Sequence, residues 1–174
     1  MKLKDKKVAV YGMGKSGISA LRLLCREGAR VFAVSKGDPN TWHPNIAKFI
    51  PRENCYSESD PNASHILSGC ELIILSPGIP PTNDCLKDAI GSVPIWSEIE
   101  LGFHFSKVPV IALTGTNGKT TIATLLYKLF TSLGYTCGLL STVENRFGEK
   151  IVPATHTTPD AVSLNEMLKR MADE

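Results

Sequence analysis

The sequence predicts an α/β fold, because two glycine-rich loops each stand between a short apolar run and an amphipathic helix. The first loop, GMGKSG at residues 12–17, follows the apolar run Lys7–Tyr11. The second, TGTNGK at residues 114–119, follows the apolar residues 110–113. A third apolar run, Leu72–Leu75, ends in the chain breakers of residues 76–80. Short apolar runs that alternate with helices are typical of buried parallel strands.

The first loop predicts a Rossmann-like βαβ unit that binds a phosphate-bearing ligand other than NAD. A helix is expected over 16–27, with Gly28 as its stop, and a second strand over 30–34. The glycines fit G-x-G-x-x-G, but an NAD site also needs an acid at the end of the second strand. Residues 35–37 read Ser-Lys-Gly, and the first acid, Asp38, comes only later.

The rest of the first half is expected to complete one domain over residues 1–106. Residues 37–64 hold four prolines and predict loops with one short helix near 45–49. Further on we expect a helix over 83–90, a strand over 94–96, a helix over 97–105 and a linker over 104–107. His104 is interpreted as a solvated linker residue.

The second loop predicts a phosphate-binding device at the front of a second domain, residues 107–174. Residues 110–113 are predicted to be a short buried strand. A helix from Thr120 follows, with an apolar face and Gly134 after it; that face consists of Ile122, Leu125, Leu126, Leu129, Phe130 and Leu133. Lys119 would reach the β- and γ-phosphates and the Thr120 hydroxyl would ligate Mg²⁺.

One residue departs from the general P-loop pattern, which wants glycine where Leu113 stands. The alternative interpretation is an incidental glycine-rich turn before a helix. Strand, loop, Lys-Thr and helix agree with one another, which favours the start of a P-loop ATPase domain.

The last forty residues predict a strand at 136–140, a hairpin within 141–154 and a final helix after Thr158. Thr158 suits the N-cap and Pro159 the first helical position. Thr157 and Thr158 therefore have two interpretations, capping alone or a ligand role. Since a P-loop core needs more strands than remain here, we expect the chain to be the truncated front of a longer enzyme.

Composition excludes several function classes. The net charge is +2, which indicates neither nucleic acid nor a membrane as partner. No apolar run approaches the ~20 residues of a membrane span, and the N-terminus lacks a signal peptide. The five cysteines include no C-x-x-C pair, so we expect free thiols in a reducing cytoplasm. We also expect a monomer.

Four segments, taken together in this order, resemble the Mur ligases of peptidoglycan synthesis. They are YGMGKSG at 11–17, LSPGI at 75–79, SEIEL at 97–101 and LTGTNGKTT at 113–121. Residues 1 to about 135 look like the MurD branch, which joins D-glutamate to UDP-N-acetylmuramoyl-L-alanine. Residues 136–174 look more like the MurE branch, through LSTVEN at 140–145 and THTTPD at 155–160. MurD chains usually carry Gly-Asn-Ile-Gly near residue 141 and often an acid near Lys36.

The resemblance implies a UDP-binding domain, a central ATPase domain, a third domain for the amino acid, and ATP and Mg²⁺ as cofactors. Lys119 would be catalytic by stabilising charge on the γ-phosphoryl group. The residues implied to bind ATP are Gly115, Thr116, Asn117, Gly118, Lys119, Thr120 and Thr121, with Thr120 on the metal. Those implied to bind the UDP substrate are Gly14, Lys15, Ser16, Lys36 and Gly78, and on the muramoyl side Asn145, Thr157 and Thr158.

Three functions stay open at this point. The first is a D-glutamate ligase acting through an acyl phosphate. The second is a MurE-like ligase that adds diaminopimelate or lysine. The third is a nucleotide-binding fragment without catalysis, since we expect these 174 residues alone not to ligate.

Overall fold

The computed structural model describes residues 2–106, 108–147 and 150–153. The chain divides into two compact units, Met1–Phe105 and Ser106–Glu174. Among the described residues, no helix is long and apolar enough to cross a membrane.

The first unit is a five-stranded parallel sheet with strand order β3-β2-β1-β4-β5. Its strands are β1 (Lys7–Tyr11), β2 (Arg30–Ser35), β3 (Cys55–Ser57), β4 (Leu72–Leu75) and β5 (Ile95–Ser97). Its helices are α1 (Lys15–Arg26), α2 (Ala63–Ser68) and α3 (Glu98–Phe105). Single 3₁₀ turns lie at Pro39–Thr41, Pro44–Lys48, Arg52–Asn54 and Asp84–Leu86.

Strand β1 is the centre of the sheet and is buried on both faces. Val8 pairs with Val31 of β2 on one side and with Leu72 of β4 on the other. One face of the sheet packs on α1 and α3 through Leu21, Leu24 and Leu101; the other packs on α2 and the turn after β4 through Leu67 and Leu86. Burial on both faces explains why β1 and β4 are uninterrupted apolar runs.

The order of the strands reverses between β1 and β4. The chain leaves β1 through α1 on one face and reaches β4 from α2 on the other face. In open parallel sheets the crevice at the carboxyl ends of two such strands is where ligands bind. Here that crevice is formed by the loop after β1 and the loop after β4.

Most predicted elements of the first unit are confirmed, and the helix predicted over 83–90 is wrong. Strands occupy the predicted places with ends shifted by one residue at most. At 83–90 the structure has a 3₁₀ turn, Asp84–Leu86, in which Leu86 N–H bonds to Asn83 O; after it, the N–H groups of Ala89 and Ile90 both bond to Leu86 O. The segment therefore forms successive turns with mixed i to i+3 and i to i+4 bonds and no continuous helix, and its side chains Leu86 and Ala89 are buried.

The second unit holds α4 (Lys119–Ser132) and a three-stranded antiparallel sheet. Its strands are β6 (Gly138–Leu140), β7 (Glu144–Phe147) and β8 (Lys150–Pro153). The predicted strand before residue 141 and the hairpin after it are both confirmed. The final helix predicted after Thr158, with Thr157 and Thr158 themselves, lies outside the described residues.

The buried strand predicted at 110–113 is wrong. These residues form no strand, and Val110, Ile111 and Leu113 are 39%, 60% and 36% exposed. Within the described part of the second unit, β6 to β8 pair only with one another. An apolar run is a strand only when a neighbour completes its hydrogen bonds and covers its side chains. The apolar face predicted for α4 is only partly covered: Ile122, Leu125, Leu129 and Leu133 are exposed, whereas Leu126 and Phe130 are half-buried.

Candidate functional site

The first candidate site is the crevice between the ends of β1 and β4, and its glycines are required by close backbone packing. Gly12 has φ +106°, and a Cβ there would come within 2.5 Å of Ser76 Cβ. A Cβ on Gly17 would come within 1.8 Å of the Gly12 carbonyl oxygen. The loop after β1 therefore folds tightly onto the start of α1 and onto the loop after β4.

Two other glycines leave open space at the crevice. A Cβ added to Gly14 or to Gly78 would meet nothing within 4 Å. Gly14 is the N-cap of α1 and offers no side chain to the first turn. The first intrahelical bond runs from Ile18 N–H to Gly14 O, so the N–H groups of residues 15–17 precede it. Such groups favour an anion, and a phosphate group fits them.

Two hydroxyl groups and a buried carboxylate lie next to one another along one wall of the same crevice. The Ser76 hydroxyl donates to Glu98 Oε1 at 2.9 Å, and Ser16 Oγ lies 3.5 Å from Ser76 Oγ. Glu98 is 3% exposed. The structure thus brings Gly14, Lys15 and Ser16 to the loop that carries Gly78.

Sequence reasoning missed Ser76 and Glu98. The signal for Ser76 was its place directly after a buried parallel strand. The signal for Glu98 was a carboxylate in the first turn of a helix that starts directly after a strand. Their pairing joins residues 22 positions apart and depends on the adjacency of β4 and β5.

The end of β2, where an NAD site needs its acid, carries a hydroxyl instead. Ser35 Oγ accepts the N–H of Met13 at 3.1 Å, so the loop after β1 is tied to β2. Lys36 follows with an exposed side chain, and its carbonyl accepts the Trp42 indole N–H at 3.1 Å. The structure therefore places Lys36 at the same edge of the sheet, one strand away from the crevice.

Tyr11 holds the neighbouring loops to the end of β1. Its hydroxyl lies 3.1 Å from Glu58 Oε2 and 3.0 Å from Asn83 Oδ1. Burial, with Cys85 and Glu58 close by, raises the pKa of Tyr11 above its ordinary value. Tyr11 thus stays protonated and supports the crevice as a fixed hydrogen-bond donor.

The second candidate site is the glycine loop before α4. Gly115 and Gly118 have φ +141° and +78°, values that favour glycine, and Gly118 caps α4 in the left-handed region. Residues 114–118 are exposed. The Lys119 ammonium contacts the carbonyl oxygen of Gly115 and lies 3.5 Å from that of Thr116. A positive charge therefore lies across the loop, beside the N-terminus of the helix.

Thr120 and Thr121 stand in the first turn of α4. The bond from Ile122 N–H to Gly118 O is the first of the helix, so the N–H groups of 119–121 precede it. Among the described residues, no three His, Cys, Asp or Glu side chains are grouped to hold a metal ion. The Thr120 hydroxyl is an oxygen donor of the kind Mg²⁺ prefers, and Mg²⁺ commonly completes its shell with phosphate oxygens and water.

Asn145, expected by resemblance to face the substrate, has a structural contact in the second unit. It is 3% exposed, and its Oδ1 accepts the Ser141 N–H at 3.3 Å. The turn between β6 and β7 also brings Thr142 Oγ1 to 3.2 Å from Thr120 Oγ1. Sequence reasoning did not single out Thr142, although Thr142 lies in the segment LSTVEN at 140–145 that carries the resemblance to MurE.

Both halves of the chain match models of one protein family. Residues 6–94 match the Mur ligase MurD-like N-terminal domain, and residues 113–174 match the Mur ligase middle domain. The first match alone spans just over half of the chain. The chain belongs to the Mur ligase family.

Named Mur ligases of two kinds are similar to the chain. The UDP-N-acetylmuramoyl-L-alanyl-D-glutamate–2,6-diaminopimelate ligase of Phocaeicola vulgatus is 36% identical over 95% of the chain and 32% of its own length. The one from Cytophaga hutchinsonii is 50% identical over 55% of the chain and 20% of its own length. The UDP-N-acetylmuramoylalanine–D-glutamate ligase of Thermoanaerobacter pseudethanolicus is 36% identical over 77% of the chain and 30% of its own length. The chain spans a third or less of the length of these Mur ligases.

Proposed function

We propose that the protein is an ATP-dependent ligase of peptidoglycan precursor synthesis that adds D-glutamate to UDP-N-acetylmuramoyl-L-alanine. The observation that carries the proposal is the glycine loop at α4, with Lys119 across it and Thr120 behind it, in a chain of the Mur ligase family. The five free thiols fit a reducing compartment such as the cytoplasm.

The first unit would bind the UDP group of the substrate. Gly14, Lys15, Ser16 and Gly78 lie where the strand order of the sheet reverses. The space beside the two glycines is open, and the N-terminus of α1 would favour the negative charge of a diphosphate there. Lys36 adds a positive charge at the same edge. An NAD ribose would find Ser35 in place of the acid that binds its hydroxyls.

The second unit would position ATP for attack by the substrate carboxylate. The carboxylate oxygen forms a bond to the γ-phosphorus and ADP leaves, which gives an acyl phosphate; the amine of the amino acid then attacks the acyl carbon and phosphate leaves. The N–H groups of Asn117, Gly118 and Thr121 would hold the phosphates, with Gly115 and Thr116 shaping the loop. Lys119 would stabilise charge on the γ-phosphoryl group, and Mg²⁺ held at Thr120 would neutralise phosphate charge.

A second candidate is a ligase that adds the third residue of the stem peptide. The relative named as a diaminopimelate ligase matches 95% of the chain, whereas the D-glutamate ligase matches 77% at the same 36% identity. In either case, Asn145, Thr157 and Thr158 would bind the muramoyl part of the substrate.

Assays of the intact protein distinguish these candidates. Phosphate release is measured with UDP-N-acetylmuramoyl-L-alanine plus D-glutamate, and with the D-glutamyl substrate plus diaminopimelate or lysine. Turnover with the first pair alone supports the proposal, and turnover with the second pair alone replaces it with the second candidate. ATP binding without turnover with any pair would indicate a nucleotide-binding protein that does not catalyse.

Lys119→Ala tests the role of the loop. We expect kcat to fall by about a hundred- to a thousand-fold, because the lysine acts most strongly on charge that develops during transfer. Affinity for the UDP substrate should hardly change. Lys128→Ala is the matched control, since Lys128 is an exposed lysine farther along α4. A Lys119→Ala enzyme within threefold of wild type would refute the assignment of the loop.

A further inference from the structure

Thr120 needs a hydrogen-bond acceptor if its hydroxyl oxygen binds Mg²⁺. A hydroxyl that ligates a cation keeps its proton, and the ion draws electron density from the O–H bond. The proton then requires an acceptor that also fixes the direction of the lone pair, as the outer partners of metal ligands do. In the described part of the chain, Thr142 Oγ1 lies at hydrogen-bond distance, 3.2 Å from Thr120 Oγ1.

The turn that carries Thr142 is closed by bonds that do not involve the Thr142 side chain. The Ser141 hydroxyl donates to Glu144 O at 2.8 Å and accepts the N–H groups of Val143 and Glu144 at 3.3 and 3.2 Å. The Ser141 N–H is in turn held by the buried Asn145. The Thr142 side chain is exposed, so its replacement leaves the turn intact.

Contacts of the neighbouring strand hold this turn beside α4. The Arg146 guanidinium lies 5.8 Å from the centre of the Tyr127 ring on α4, and its Nε donates to Glu144 Oε1 at 2.8 Å. The cation–π contact joins β7 to the helix that begins at Lys119, and the ion pair within β7 orients the Arg146 guanidinium for that contact. The hairpin of β6 and β7 is therefore held beside α4, and it places Thr142 next to Thr120.

We propose that Thr142 is a positioning residue for Mg²⁺, whose hydroxyl accepts the Thr120 proton while the Thr120 oxygen faces the ion. This inference rests on the proposed ATP site. It assigns to the β6–β7 turn a role in metal-dependent nucleotide binding that is separate from contact with the muramoyl substrate.

The test is the Mg²⁺ dependence of nucleotide affinity in the intact protein. Binding of a non-hydrolysable ATP analogue is measured by calorimetry, once with MgCl₂ and once with EDTA. In Thr142→Val we expect the dissociation constant with Mg²⁺ to rise by roughly tenfold or more and the constant with EDTA to stay within twofold. Thr142→Ser, which keeps the hydroxyl, should bind as wild type does in both conditions.

Thr120→Val supplies the reference for complete loss of the metal ligand, and Thr142→Val should cause little further loss in that background. Equal weakening of Thr142→Val with Mg²⁺ and with EDTA would show a structural role and overturn the inference. Undiminished Mg²⁺ enhancement in Thr142→Val would overturn it as well. A wild-type protein that binds the analogue in neither condition would refute the proposed function, and with it this inference.

Discussion

Gly17→Ala and Gly14→Ala separate the glycine that the fold requires from the glycine that the ligand requires. In Gly17→Ala the new methyl carbon would lie 1.8 Å from the Gly12 carbonyl oxygen and 2.9 Å from its carbon. Both neighbours are backbone atoms, so no side-chain rotation relieves the overlap. The loop after β1 or the first turn of α1 must move by about 1 Å or more within close-packed surroundings.

The expected loss of stability follows from that overlap. Overpacking a well-packed site costs typically 1–3 kcal/mol, and contact with backbone atoms places Gly17→Ala near about 3 kcal/mol. For a domain of this size each kcal/mol lowers Tm by about 4–8 °C, so a loss of about 3 kcal/mol should lower Tm by about 12–24 °C. Gly14→Ala adds a methyl group that meets nothing within 4 Å, and it should cost less than about 1 kcal/mol as an N-cap change.

Tryptophan fluorescence is the assay for stability. The two tryptophans of the sequence, Trp42 and Trp96, both lie in the first unit, so urea unfolding followed by fluorescence reports on that unit. Gly14→Ala should shift the midpoint much less than Gly17→Ala does, and it should lose affinity for UDP-N-acetylmuramoyl-L-alanine, because its methyl group would occupy open space at the N-terminus of α1. A Gly17→Ala midpoint indistinguishable from wild type would refute the packing analysis, and undiminished substrate affinity in Gly14→Ala would remove Gly14 from the proposed site.

Two further predictions concern buried groups of the first unit. Burial raises the pKa of the Cys70 thiol from its ordinary 9.0 to about 11; the protonated thiol stabilises the fold below pH 9, and this contribution is lost as pH rises through 11, because the unfolded thiol ionises first. Cys70→Ala should therefore show a shallower fall of Tm between pH 9 and 11 than wild type, and parallel curves would contradict the shift. Glu98→Ala removes the buried acceptor of the Ser76 hydroxyl and should cost about 1–3 kcal/mol in urea unfolding, whereas Glu98→Gln keeps a hydrogen-bonding oxygen and should cost less; equal losses would show that the bond to Ser76 is not what matters.

Local pattern was sufficient where one element carries its own signal. Strands β1 and β4 are continuous apolar runs because both faces of a central parallel strand are covered. The helix after each glycine loop was predicted from apolar spacing and from the glycine that follows it. The two candidate phosphate-binding loops could be predicted for the same reason. Each is formed by its own backbone geometry and by the N-terminus of the helix that follows it.

Elements that depend on a distant partner escaped prediction. Strand β3 has three residues, and only its parallel pairing with β2 makes it a strand. Helix α2 has six residues and too few apolar positions to show a period. At residues 110–113 the opposite error occurred, since a strand was predicted where none forms. An apolar run without a paired neighbouring strand remains exposed.

The sequence by itself determined the α/β class, the two glycine loops and the family to which the chain belongs, because each depends on residues close together in the chain. Tertiary structure alone decided which polar side chains meet. Ser76 reaches Glu98 because β4 pairs with β5, and Thr142 reaches Thr120 because a hairpin folds back beside α4. Contacts of this kind depend on strand order and on turn geometry. Neither can be read from the position of a single polar residue in the sequence.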